Sequence, residues 1–228
     1  MTFLGRLLSF FPIANLLLVI ASVMGFVFYP SLLTAVAIPV SIYGVPLACF
    51  HLHQHFFPIR QGLSSIVSGY SPWYGAHMIQ GMLIAFPGFE RVLRLIPGAF
   101  TFWLRLWGSE VGNHVYWTPQ LELLDRSLLK VGDSCVFGYN VKISGHVVTP
   151  NTKHGLVAYV KTVVIGSSAF IGAESRIGPG VTIESGVLVA AGKDIYPNEV
   201  LTIDSGESES AKPKNVSGAT PTKEAMSS

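Results

Sequence analysis

The chain has 228 residues, 50% of them hydrophobic and only 12% charged, with a formal net charge of +2. That charged share is about half that of an ordinary soluble domain, which excludes disorder, collagen and coiled coil as the overall class. So small a positive balance, with no basic block, excludes a nucleic-acid partner, and two cysteines outside any C-x-x-C pair exclude zinc-finger and thioredoxin-like chemistry.

No Asp, Glu, Lys or Arg occurs between Arg6 and Arg60. A membrane-spanning helix takes about 20 apolar residues, so this run has room for two. Leu7–Tyr29 and Ser31–Phe50 are the predicted helices, with Pro30 at the turn; the run is too long for a cleavable signal peptide. Residues 1–58 therefore read as a retained transmembrane hairpin. Arg6 and Arg60 flank it while its tip is uncharged, which puts both termini on the cytoplasmic side of the cell membrane. Asn15, inside the first helix, suits a helix–helix hydrogen bond. His51, His53 and His55 invite a metal reading, but only His51 and His55 share a helix face, and no third ligand accompanies them. No metal is expected.

Residues 59–106 read as short interfacial amphipathic helices. Tyr70, Trp73, Tyr74, Trp103 and Trp107 are the ring types of a membrane surface. Glu90, Arg91, Arg94 and Arg105 mark a wet face, and Pro87 and Pro97 break the helices.

From Ile165 the chain parses in sixes: IGSSAF, IGAESR, IGPGVT, IESGVL, VAAGKD, IYPNEV. Looser units begin at Val111, Trp117, Val131, Phe137 and Ile143. Residues six apart fall on different faces of an α-helix, and the glycines and prolines oppose one. A short strand followed by a tight turn fits instead, with the aliphatic first residue inward and the small second residue at the corner. Three units close one triangular coil, and stacked coils bury a continuous aliphatic column. The predicted fold is mainly β: a left-handed parallel β-helix over residues 107–204, an exception to right-handed crossovers, behind the helical hairpin. Residues 205–228 have almost no large apolar side chains and are expected to be disordered; the Asn215-Val216-Ser217 sequon there would never meet the glycosylation machinery.

These repeats resemble the hexapeptide-repeat acyltransferases, a family with maltose, galactoside and serine acetyltransferases among its soluble members. The resemblance covers about residues 107–201, and the preceding hairpin makes the chain similar to a membrane-anchored branch. It implies transfer of an acyl group from an acyl-coenzyme A thioester, a substrate rather than a bound cofactor, to a hydroxyl or amine acceptor. It also implies a homotrimer with sites between neighbouring subunits.

Between Val147 and Val164 the six-residue period fails, and VTPNTKHGLVAYVKT reads as a loop thrown out from one corner. Loops on a rigid scaffold are where function collects. The unit entering it, ISGHVV, resembles the segment bearing the family's catalytic histidine, which makes His146 the base. An imidazole can take the acceptor's proton near neutral pH, and a thioester is activated enough to need no covalent intermediate. Cys135 occupies an interior hexad position and no G-x-S-x-G elbow exists, so a Cys or Ser nucleophile is disfavoured. His154, in the loop itself, is the alternative base; His114, in an early coil, is structural or exposed.

Asn140, one hexad before His146, is a candidate acceptor or loop contact, as is Glu174, the nearest downstream carboxylate. AAGKDIYPNEV resembles the family stretch whose lysine meets a coenzyme A phosphate, which points to Lys193, with Gly192 standing where the family has Thr. LTIDSG follows where the family continues Gly-Asn-Pro-Ala-Lys, so an acyl carrier protein remains an alternative donor. Two other function classes stay open: a non-catalytic trimeric β-helix scaffold at the membrane, and a metal-dependent hydratase like the γ-carbonic anhydrases. The latter needs three histidines at a spacing that His114, His146 and His154 do not have.

Overall fold

The computed structural model describes residues 2–151 and 155–203. The charge-free run forms α1 (Phe3–Ser9), α2 (Phe11–Phe28), α3 (Leu32–Pro39) and α4 (Val45–Phe56). Together they make two nearly continuous helices, Phe3–Phe28 and Leu32–Phe56, which by length and composition are long and apolar enough to cross a membrane. A π-helical turn at Val40–Gly44 joins α3 to α4. Pro46 has no N–H to give, so the wider turn, closed by Val45 N–H on the Val40 carbonyl, absorbs the missing bond.

Next come β1 (Gly62–Ser65), α5 (Pro72–Ala85), α6 (Gly88–Arg94) and α7 (Ala99–Leu106). α5 lies between the hairpin and the β domain. Gly75 and Gly81 admit the hairpin: a Cβ at Gly75 would meet the Tyr70 hydroxyl and His53, and one at Gly81 would meet Pro12. Asn15 makes the expected interhelical contact through its amide, 2.8 Å from Met82 Sδ.

The six-residue units then wind a parallel β-helix. Its first strands are β2 (Glu110–Val111), β3 (Glu122–Leu123), β4 (Leu129–Val131), β5 (Val136–Phe137) and β6 (Lys142–Ile143). The antiparallel hairpin β7 (His146–Asn151) and β8 (Gly155–Val160) interrupts the winding. It resumes with β9 (Val163–Ile165), β10 (Phe170–Ile171), β11 (Arg176–Ile177), β12 (Thr182–Ile183), β13 (Leu188–Val189), β14 (Asp194–Ile195) and β15 (Val200–Leu201). Three parallel sheets result, ordered β2-β4-β9-β12-β15, β5-β10-β13 and β3-β6-β11-β14.

Register explains where the period slips. In the later coils, stacked partners are 18 residues apart, as Ile177 with Ile195 and Ile165 with Ile183. Across the β7–β8 hairpin the separation grows to 34, as Lys142 with Arg176. In the first coils it is 20, as Glu122 with Lys142 and Glu110 with Lys130. Two extra residues therefore sit between Leu123 and Val131, at the corner where the hairpin leaves one coil later.

The first residue of every hexad from Ile165 to Ile195 is buried, and so are Ala169, Val181 and Val187 at the fifth position. Each buried aliphatic contributes roughly 1.5–3 kcal/mol. The second-position glycines are forced by coil stacking, since a Cβ at Gly166 or Gly172 would fall on the backbone of Ser185 or Ala191. β1 clasps the protruding hairpin as the edge strand of a three-stranded antiparallel sheet, β1-β8-β7.

Two expectations for residues 59–106 are corrected. Trp73, Trp103 and Trp107 do not lie on a membrane surface: all three are buried, Trp103 and Trp107 between the helices and the first coil, and Trp73 with Leu128, Ala158 and Val160 where the β7–β8 hairpin leaves the coil. Glu90 is not on a wet face either; it is buried and paired with Arg126. Amphipathic helices have two possible apolar partners, lipid or protein, and here the open end of the β-helix takes that face. Arg91 and Arg105 remain exposed.

Candidate active site

Asp125 and Arg126 occupy the two-residue expansion of the first coil, and both are buried. Arg126 turns toward the helices. Its Nε and Nη2 donate to Glu90 Oε1 and Oε2 at 2.6 and 2.8 Å, and its Nη1 donates to Gln80 Oε1 at 3.2 Å. Trp103 Nε1 also donates to Glu90 at 2.9 Å. Burial opposes the charge on Glu90, yet Arg126, Trp103 and Arg94 outweigh it and hold the carboxyl below its ordinary value.

Asp125 turns the other way, into the corner where the β7–β8 hairpin leaves the coil. Its Oδ2 accepts from His146 Nδ1 at 2.6 Å and from Gly145 N–H at 2.9 Å. Its Oδ1 accepts from Trp73 Nε1 at 3.0 Å. Burial works against ionisation, but the hydrogen bonds from His146 and Trp73, with the His77 ring close by, prevail and keep the Asp125 carboxyl far below the usual carboxylate range. An ionised carboxylate only accepts, so His146 carries a proton on Nδ1, and in the neutral ring Nε2 is the acceptor. Nε2 makes no hydrogen bond among the described residues. The Trp73 ring packs on the imidazole, with centroids 4.4 Å apart, and fixes its plane.

His146 and Ser144 line a groove of about 440 Å³ on the outer face of β3-β6-β11-β14, together with Lys142, Arg176, Asp194 and Tyr196. A partly enclosed imidazole with a free Nε2, a buried orienting carboxylate and an adjoining groove can remove a proton from a bound hydroxyl or amine.

His77, on α5, is the second imidazole of the corner. Its ring lies edge-on to His146 at 5.0 Å, and its Nδ1 is 3.9 Å from Asp125 Oδ1, buried and without a hydrogen bond. The ligand atoms of His77, Asp125 and His146 all lie within 4.8 Å of one another, close enough for a metal ion. The carboxylate, however, is already filled by three N–H donors, a bonding pattern that suits an orienting group better than a metal ligand.

Of the other residues singled out in the sequence, Asn140, Glu174 and Gly192 come together. They are successive left-handed turn positions of one corner, with φ of 54°, 62° and 69°, and they line a second groove of about 330 Å³. Lys142 and Arg176 line both grooves. Neither Asn140 nor Glu174 is hydrogen-bonded to His146. Lys193 follows that corner and is exposed. His114 is exposed at a left-handed turn, and His154 lies outside the described residues. His51 bonds the Leu106 carbonyl, His53 the Tyr70 hydroxyl, and His55 is exposed beside the Phe56 ring, so the three helix histidines do not form one cluster.

Asp125, Trp73 and His77 were missed by sequence reasoning. One signal existed for Asp125: coil stacking puts the residue about 20 positions before His146 beneath it, inside the one stretch that breaks the hexad count.

No family model matches the chain. Solved structures similar to it are acetyltransferases. A hexapeptide-repeat-containing acetyltransferase from Vibrio cholerae is 16% identical, over 53% of this chain and 85% of that one, with a TM-score of 0.38; it has also been solved with acetyl-coenzyme A. A galactoside acetyltransferase in complex with coenzyme A is 20% identical, over 49% of this chain and 73% of that one, at a TM-score of 0.34. Serine acetyltransferase isoform 3 from Entamoeba histolytica, bound to cysteine, is 15% identical, over 91% of this chain and 73% of that one, at a TM-score of 0.28. This likeness assigns no role to any residue here.

Proposed function

We propose that this chain is a membrane-bound acyltransferase that moves an acyl group from a coenzyme A or carrier-protein thioester to a hydroxyl or amine. The observation that carries the reading is the 2.6 Å contact between buried Asp125 Oδ2 and His146 Nδ1, which leaves Nε2 free at a groove. Nε2 takes the acceptor's proton as its oxygen or nitrogen attacks the thioester carbonyl. The tetrahedral intermediate then expels the thiolate, which recovers that proton from His146. Asp125 stabilises the imidazolium between the two steps and stays ionised throughout.

Lys193, exposed beside the Asn140–Glu174–Gly192 corner, is the proposed partner of a coenzyme A phosphate. Asn140 and Glu174 are proposed acceptor contacts along the same face. The apolar helices hold the β-helix against the cytoplasmic side of the membrane, and three copies share their sites at the coil faces. Mass measurement in detergent should report three copies; an active monomer would overturn the shared-site assembly.

The test is thiol release from a panel of acyl-coenzyme A donors by purified full-length protein and by His146→Ala. Turnover lost in the variant supports acyl transfer. Thioester binding without turnover in either protein would favour the non-catalytic scaffold. Metal-dependent turnover of another substrate, abolished by chelation, would favour a hydratase built on His77, Asp125 and His146. Lipid and metabolite profiles of a deletion strain complemented with wild type or His146→Ala would then identify the acceptor.

A further inference from the structure

The two apolar helices are bare on all sides only at their far end; below it their inner side packs on protein, while outward residues such as Phe3, Leu7, Phe10, Ile13 and Leu17 stay exposed. On the first, Leu8, Pro12 and Asn15 pack on α5, and the last buried residue is Val19. On the second, Tyr43 donates to the Phe89 carbonyl, Phe50 packs on Trp107, and His51 bonds the Leu106 carbonyl. Protein therefore sheathes the lower half of the hairpin on its inner side. Above Val19, Ile20–Phe28 project from the body, with Phe28 65%, Tyr29 77%, Leu32 82% and Leu33 80% exposed.

That bare stretch of helix is about 14 Å long at 1.5 Å per residue. The hydrocarbon core of a bilayer is about 30 Å thick, so the projection matches one leaflet. Spanning would take about 20 residues of each helix and would draw the level of Tyr43 and Phe50 into hydrocarbon. α6 and α7 are fastened at that level, and they carry Arg91, Arg94, Arg105 and Glu90, the buried partner of Arg126 in the first coil. Charges at such depth are costly.

The tip meets part of its own hydrogen-bonding need. Tyr29 N–H bonds the Gly25 carbonyl, and Pro30 has no N–H. Thr34 N–H donates to Ser31 Oγ at 3.2 Å, Ser31 N–H donates to Thr34 Oγ1 at 3.0 Å, and that hydroxyl reaches the Tyr29 carbonyl at 2.9 Å. Ser31 and Thr34 thus form a capping box, which leaves fewer backbone groups of the turn for its surroundings to satisfy. Its outward residues are apolar and uncharged, a patch that water disfavours.

We infer that the hairpin is a re-entrant wedge: its Phe28–Leu33 turn ends near the bilayer midplane, and its bare upper half is covered by the acyl chains of the near leaflet. This rests on the membrane-bound reading above, and it replaces two spanning helices with a one-leaflet anchor.

The test uses full-length protein with Cys49→Ala, carrying Leu33→Cys or Tyr29→Cys at the tip or Glu184→Cys on an exposed coil. It is inserted in sealed membrane vesicles of both orientations. A membrane-impermeant maleimide should label Glu184→Cys from the cytoplasmic face and the tip cysteines from neither face until detergent is added. Bimane on the tip should be quenched most by lipids brominated near the chain ends. Tip labelling from the far face, with the protein still resisting alkaline carbonate, would overturn the wedge and leave membrane binding intact. Tip labelling from the cytoplasmic face together with release by carbonate would overturn membrane binding itself. Strongest quenching by headgroup-level quenchers would also overturn the wedge.

Discussion

Asp125 lies one coil below His146, and its Oδ2 sits 2.6 Å from the imidazole Nδ1. The pair exists because two departures from the hexad count stack at one corner. The first coil is lengthened by two residues, which turns Asp125 inward, and the next coil opens into the β7–β8 hairpin, which begins at His146. Each departure alone would leave a buried carboxylate or a loose histidine.

Replacing the proposed base isolates the chemistry. His146→Ala should lower kcat by roughly 10²–10⁴, the usual worth of general-base catalysis, with little change in donor KM. Steady-state kinetics on His154→Ala provide the comparison. A larger kcat loss there would transfer the role of base to His154.

Asp125→Asn keeps the shape but alters the proton arrangement. The amide can donate to His146 Nδ1, which favours the tautomer with the proton on Nε2, where the acceptor's proton has to go. A kcat loss of about 10²–10⁴ at unchanged donor affinity is expected, as for the orienting Asp of a serine protease triad. Trp73→Phe keeps the ring and removes one charge-assisted hydrogen bond; chemical denaturation should show a loss of about 1.5–3 kcal/mol.

Arg126→Met leaves Glu90 buried and unpaired. Breaking one side of a buried pair costs about 3–5 kcal/mol, so the thermal midpoint in detergent should fall by on the order of 10 °C. The double variant Glu90→Gln/Arg126→Met should recover part of the loss, because it removes the uncompensated charge.

Acid should weaken the junction between helices and coil. Asp125 and Glu90 have depressed folded-state pKa values, so their stabilisation is full above the ordinary values of 3.8 and 4.5 and is lost as pH falls below them. Wild-type stability measured from pH 6 to 3 should drop across that window. The drop should be shallower in the Glu90→Gln/Arg126→Met double variant.

Lys193→Ala should do the reverse of His146→Ala. If its ammonium meets a coenzyme A phosphate, donor KM rises while kcat moves little. An unchanged KM with coenzyme A donors, and loss only with carrier-protein donors, would shift the proposed contact to the carrier.

The sequence by itself determined the coil. An aliphatic residue every six positions admits one solution, and the failed period after Val147 marked where a loop leaves it. It also located both apolar helices, since a charge-free run from Leu7 to Ile59 has few other uses. Only the tertiary structure decided what lies against them. Trp103 and Trp107 suit lipid and protein equally well, and the choice fell to the open end of the β-helix, which needed an apolar cap. Glu90 and Arg126 are 36 residues apart in sequence and Trp73 and Asp125 are 52 apart, and no local pattern announces that such groups will be buried together. Hydrophobic periodicity is local and legible; the partner of a buried charge is chosen by packing across the whole chain.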